Sequence, residues 1–159
     1  MFGKPFLRSR PRLGVGGFTA TELMVVVAVI GVIMAASAPM FFSYLRTSAL
    51  RAGAEEMATV LGRARQLAIK DNRSICVNNV GTRVQYQLDT CPGAVWTGPE
   101  TDALGFIQLA NNITVTSGQV LFSYIGTANA PATYTVKDPQ DSHTLSVNVT
   151  AAGRISIGP

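Results

Sequence analysis

Residues 23–45 carry no charged side chain, and residues 24–36 carry no polar one. That uncharged run exceeds the roughly 18 residues at which a membrane-spanning helix becomes the default reading. The pattern changes from Leu50, where Leu50, Ala54, Met57, Leu61, Ala64 and Ala68 recur at spacings of three and four. Such spacing predicts one core-facing helical stripe, with Arg51, Glu55, Arg63 and Lys70 on the wet side. One long helix is therefore predicted from residue 18 to about residue 70, ended by Asp71-Asn72. Beyond residue 72 the helical period vanishes and short runs of β-formers alternate with turn signals. The predicted strands are 74–77, 83–88, 106–109, 113–116, 120–125, 133–136, 144–149 and 154–157, with Asn78-Asn79, Gly98-Pro99 and Ser117-Gly118 among the breaks. The connecting loops are too short for crossover helices, so the strands form an antiparallel sheet. One face of that sheet needs a cover, which the helical stripe can supply. The fold class is α+β: a long N-terminal helix, membrane-spanning in its first half and amphipathic in its second, packed on an antiparallel β-sheet head.

Charge refines this picture. Lys and Arg number 13 and Asp and Glu nine, for a net +4, and charged residues make up only 14% of the 159-residue chain. Four of the cations, Lys4, Arg8, Arg10 and Arg12, lie in the first 17 residues, which hold no acid; residues 18–159 balance at nine of each sign. The basic excess thus belongs to a leader and does not argue for a nucleic-acid partner. Under the positive-inside rule it places the N-terminus in the cytoplasm and everything after Arg46 across the membrane. Cys76 and Cys91 form no CxxC pair, and His143 is the sole histidine, so no zinc site is expected. The two cysteines read as a disulfide in an oxidising compartment, with two buried free thiols as the alternative.

Three readings compete for the apolar segment. A cleaved secretory signal would use Ala36-Ser37-Ala38, but Pro39 just after the cut and Glu22 within the segment count against it. An ordinary single-pass anchor leaves Glu22 unexplained. A carboxylate near the bilayer centre costs roughly 2.5–3.5 kcal/mol and calls for a partner. No Lys, Arg or His occurs from residue 13 to 45. The partner must come from another molecule or from a charge created by processing, and a cut between Gly17 and Phe18 would create one, the α-amine of Phe18.

The stretch GFTATELMVVVAVIGVIMAASAP (residues 17–39) resembles the N-terminal segment of type IV pilins and type II secretion pseudopilins. The resemblance implies prepilin peptidase cleavage between Gly17 and Phe18, N-methylation of Phe18, a subunit-pairing role for Glu22 and a helix-kinking role for Pro39. It also implies local melting of residues 31–39 in an assembled filament. Ala20-Thr21 departs from the larger apolar residues usual there. LGRARQLAIKDNRSICV and the closing AAGRISI resemble the GspH/FimT group of minor pilins and pseudopilins. Together these matches imply the pilin fold, with a cleaved cytoplasmic leader (1–17), a transmembrane and filament-core half-helix (18–45) and a periplasmic head (46–159). They imply a non-enzymatic subunit of a type II secretion pseudopilus or a type IV pilus in the bacterial inner membrane. Its partners would be prepilin peptidase, other pilin subunits, the inner-membrane assembly platform and membrane lipid, and no cofactor is expected.

Other constellations carry less. Some FimT-like pilins bind DNA through a C-terminal Gly-Arg-x-Arg motif; here Gly153-Arg154-Ile155-Ser156 lacks the second arginine. Phosphate affinity depends on the number of cations supplied, so Arg154 reads first as a strand-edge residue bonded to a loop, and DNA as the alternative partner, with Arg73 or Arg83 as possible neighbours. Asp141-Ser142-His143 reads as an exposed turn and Glu55-Glu56 as a solvated face rather than acid–base machinery. Gly14-Val15-Gly16-Gly17 follows no strand and fits a flexible recognition sequence better than a phosphate cradle. No catalytic site is expected.

Overall fold

The computed structural model describes residues 17–116, 118–138 and 143–158, and of Asn111 only the backbone. The leader cations, residues 14–16 and Asp141-Ser142 lie outside these residues. The chain divides into two compact units, Met1–Met40 and Phe41–Pro159. One helix, α1 (Ala20–Lys70), begins two residues later than its apolar pattern suggests, because Phe18 and Thr19 stay non-helical. Pro39 sits inside it without a break, although its missing N–H leaves the Ala35 carbonyl without the usual helical donor. Residues 31–39 are helical in the single chain.

The end of α1 is chemically defined. Asn72 adopts φ +51°, its N–H donates to the Ile69 carbonyl, and the Arg73 N–H reaches back to the carbonyl of Ala68. These are the two bonds of a Schellman stop, with asparagine tolerating the left-handed position.

Among the described residues nine strands follow: β1 (Ile75–Val80), β2 (Arg83–Leu88), β3 (Ala94–Val95), β4 (Phe106–Gln108), β5 (Thr114–Thr116), β6 (Gln119–Phe122), β7 (Ala132–Lys137), β8 (Thr144–Val149) and β9 (Ile155–Gly158). All are paired antiparallel. They form two sheets, not the single one expected. In the first, the order is β3-β2-β1-β6, with β4 also on β2; in the second it is β5-β7-β8-β9. The split falls between β5 and β6, which are neighbours in sequence but pair with β7 and β1 respectively. Gly118 joins them at φ +112°, where a Cβ would overlap the Tyr134 ring.

Asn78 and Asn79, expected as a break, belong to β1 opposite Gln85 and Val84. The Asn79 side chain donates to the Val115 carbonyl of the other sheet at 2.9 Å, which gives a polar residue a place in the strand. The turn moves to Gly81-Thr82. β3 lacks a readable signal because two residues show no periodicity.

A single core joins these layers. Leu50, Ala54, Met57, Leu61, Ala64 and Ala68 are buried, as their spacing predicts, with Gly53 and Val60 beside them. They meet Ile75, Val77, Val84 and Phe122 of the first sheet and Val115, Tyr134, Val136 and Val147 of the second. Two buried tyrosines tie the layers by hydrogen bonds. Tyr86 donates to the Val60 carbonyl of α1 at 2.7 Å, and Tyr134 donates across the sheets to the Val77 carbonyl at 3.2 Å. Burial raises both phenol pKa values, so neither ionises at physiological pH.

Cys76 in β1 and Cys91, just past β2, are joined as a disulfide with Cα atoms 5.6 Å apart. Beside them the Asp89 N–H donates to the Ser74 carbonyl, and Arg73 grips the Asp89 carboxylate with two nitrogens, the shorter contact 2.6 Å. That guanidinium holds the Asp89 carboxyl below its ordinary range, so the pair favours the fold above the normal carboxylate pKa and the effect is lost as acid protonates Asp89. A bridge across 15 residues contributes about 3 kcal/mol in the chain-entropy view. The double variant Cys76→Ser/Cys91→Ser should lower the free energy of unfolding in urea by about that amount. An unchanged midpoint would show that the bridge adds nothing to head stability.

Candidate functional site

The N-terminal unit carries the first candidate. Gly17, Phe18 and Thr19 precede the helix in non-helical backbone, all exposed, so the Gly17–Phe18 peptide bond is accessible. Thr19 caps α1: its hydroxyl accepts the Glu22 N–H at 3.2 Å. Glu22 returns the bond, accepting the Thr19 N–H at 3.3 Å and the Thr19 hydroxyl at 3.2 Å on Oε2. This is a capping box, written in the sequence as Thr19-x-x-Glu22. Glu22 therefore has neutral polar partners within its own chain, in addition to the counter-ion expected from another molecule or from processing. The helix N-terminus also favours a negative charge there. These bonds supply no full positive charge.

Below this cap the helix surface is apolar. Leu23, Met24, Val27, Val32 and Met34 are each more than half exposed. Among the described residues α1 is the one helix long and apolar enough to cross a membrane, with a window of mean hydropathy 2.4 and no buried residue in it. Ser37 hides its hydroxyl by donating to the Ile33 carbonyl at 2.8 Å.

The head carries the second candidate, a groove of about 560 Å³ between the last turns of α1 and the β8–β9 turn. Arg65, Gln66 and Ile69 line one side, and Gly153, Arg154 and Ile155 the other. Arg65 is half-buried, and its Nε–H donates to the Gly126 carbonyl at 2.8 Å. Gly153, at φ +74°, closes the third side: a Cβ there would collide with the Gly126 carbonyl and crowd Arg65. The two short motif segments, ARQLAI on the helix and AAGRISI at the end, thus meet in space. Arg65 is the residue that sequence reasoning passed over, because its partner is a backbone carbonyl 61 residues away.

Arg154 is exposed and precedes β9, the edge strand of its sheet. Its N–H donates to the Thr150 hydroxyl, and its carbonyl accepts the Thr150 N–H. The expected strand-edge bonding is therefore made by the backbone, leaving the guanidinium without a partner among the described residues. Arg73 is taken by Asp89, and Arg83 lies 4.4 Å over the Phe106 ring. The cation sharing Arg154's groove is Arg65.

The remaining constellations have structural roles. Glu55 pairs with Arg51, and the Glu56 carboxylate accepts the Ala110 N–H at 2.9 Å, heading a short 3-10 turn. His143 is exposed, and its carbonyl accepts the Asp138 N–H. A smaller cavity of about 300 Å³ is walled by Leu67, Tyr86, Trp96 and Ile107 and rimmed by the Arg63–Glu100 ion pair. No cluster of three or more His, Cys, Asp or Glu that could hold a metal occurs among the described residues.

Comparison with known proteins supplies the context. The family model described as type II transport protein GspH matches residues 53–153. No curated protein matches the chain. Among solved structures, the type IV minor pilin FimU of Pseudomonas aeruginosa superposes with a TM-score of 0.53 at 19% identity, over 73% of this chain and 92% of that one. The minor pseudopilin EpsH from the type 2 secretion system of Vibrio cholerae gives 0.50 at 12% identity, over 65% and 91%. At these identities the likeness is one of fold: a long N-terminal helix on antiparallel sheets.

Gly153→Ala tests the account of the head groove. Forcing a side chain into the left-handed region costs about 1–2 kcal/mol before any clash with Gly126. The variant should unfold at correspondingly lower urea, and an unaltered midpoint would contradict the close approach described.

Proposed function

The chain belongs to the GspH family of type II transport proteins, and from that membership we propose that it is a minor pilin or pseudopilin, a non-enzymatic subunit that initiates or caps a pseudopilus or pilus. The observation that carries this reading is an exposed, uncharged helical segment headed by a single carboxylate and continuing into the wall of a GspH-type head. An apolar helix with one acid at its tip is suited to leaving lipid for a bundle of its own kind. There the acid sets stagger by pairing with a cation.

In this proposal prepilin peptidase cuts between Gly17 and Phe18, and Phe18 is then N-methylated. The peptide bond stands outside the capped helix, in non-helical backbone. Cutting leaves the Phe18 amine one residue from the capping box. Glu22 then adds the amine of its own Phe18 or of a neighbour to the two donors it already has, so that a charge pair joins hydrogen bonds already made. Pro39 and residues 31–39 give the segment a weak point, since one backbone bond is missing there, and we assign local melting on assembly to it. The leader (1–17) stays cytoplasmic, residues 18–45 cross the inner membrane, and the head (46–159) lies in the periplasm, where the Cys76–Cys91 disulfide is stable. Other pilin subunits, the assembly platform and membrane lipid are the partners.

DNA uptake is the second reading, and Arg154 beside Arg65 is the observation that keeps it. Two cations, one of them already bonded to Gly126, make a small phosphate footprint.

Two measurements test the first reading. Mass spectrometry of the protein from cells should show a mature N-terminus at a methylated Phe18; a chain still bearing its first 17 residues overturns the proposal. Glu22→Ala should be processed at near-normal yield yet fall at least tenfold in filament incorporation. Normal incorporation would remove the carboxylate from the assembly step.

A further inference from the structure

We propose that the groove holding Arg65 and Arg154 is a docking site for a carboxylate-bearing, apolar segment of a neighbouring filament subunit. The inference rests on the subunit reading above and adds to it the chemistry of a contact made by the head.

The charge pattern points there first. Glu55, Asp89 and Glu100 are paired with Arg51, Arg73 and Arg63. Glu56 and Asp102 accept backbone N–H groups at 2.8–2.9 Å. These acids are therefore satisfied within the head, and none of the residues lining the groove is acidic. Arg65 and Arg154 both line it, without an acidic partner among the described residues.

Arg65 is held in place beforehand through its side chain, and Arg154 through its backbone alone. The Gly126 carbonyl fixes Arg65 through Nε, leaving its two terminal nitrogens as a fork for a planar anion. Thr150 pins the backbone of Arg154 from both sides. Preorganised donors lose less freedom on binding, and an arginine fork matches a carboxylate with two bonds.

The surroundings select the kind of anion. Ile69 is 49% exposed on the helix side and Ile155 lines the opposite side. The turn that presents Gly126 also leaves Tyr124 and Ile125 exposed at 56% and 64%. A cavity of about 560 Å³ walled by isoleucine suits a few aliphatic side chains next to one carboxylate. A nucleic acid would ask instead for more cations than the two that this groove supplies.

The test uses the full mature chain in dodecyl maltoside micelles and fluorescence anisotropy at low salt. The probes are a labelled octapeptide of alternating leucine and glutamate, the same peptide with glutamine for glutamate, and a labelled 12-nucleotide single strand. The glutamate peptide should bind, and Arg154→Ala should weaken it roughly tenfold. Ile69→Ser should weaken it as well, with the charges intact. The glutamine peptide should bind at least tenfold more weakly. Circular dichroism melting of both variants at the parent temperature excludes loss of fold, since both side chains are substantially exposed. Equal binding of the two peptides, or no effect of Arg154→Ala, overturns the inference. Binding of the oligonucleotide without the peptide also overturns it and assigns the groove to nucleic acid. Failure here leaves the subunit reading standing, because that reading is judged by processing and incorporation at Phe18 and Glu22.

Discussion

The head depends on one strip of helix being shared by two sheets. Leu50, Ala54, Met57, Leu61, Ala64 and Ala68 give both sheets their common apolar floor, and small residues at three of these positions let strands approach the helix closely. Neither sheet is large enough to bury its inner face alone. Each borrows the helix, and the sheets are laced to it and to each other by Tyr86, Tyr134 and Asn79, whose polar atoms all end on backbone carbonyls. Removing the helical strip would expose both sheets at once, so the head cannot be separated from the second half of α1.

The same helix has a different physical problem at its other end. There the surface is apolar without interruption, and the one carboxylate is Glu22. The capping box with Thr19 explains how such a group is tolerated in a single chain: its oxygen is bonded, and it lies at the positive end of the helix dipole. Bonding to neutral donors leaves the negative charge itself uncompensated. In the proposed filament, that residual need is what would make a cation supplied at assembly energetically useful.

At the far end of the head, Gly153 and Gly126 show how a motif can be a matter of space rather than reactivity. Their backbones approach so closely that only glycine fits at Gly153, and the contact traps Arg65 against a carbonyl. Arg154, next in the chain, is left free of such duties. The division of labour between two arginines, one fixed and one available, is set by which of them the glycine contact reaches.

Much of this was legible from residue order alone. Local rules sufficed wherever a feature depends on neighbours within a turn or two: the helix to Lys70 and its asparagine stop, the buried stripe, the apolar span and most strands. The Thr19–Glu22 cap is equally local, since its two side chains lie three residues apart. What tertiary structure alone decided involves residues far apart in the chain. The division into two sheets followed from β6 returning to β1 and not to β5, which spacing cannot express because any two β-patterned runs satisfy it equally. The convergence of Arg65, Gly126 and Gly153, the pairing of Arg73 with Asp89 and the stacking of Arg83 on Phe106 arose in the same way. A side chain's partner across the fold is set by how the layers close over the helix, and residue spacing carries no record of that closure.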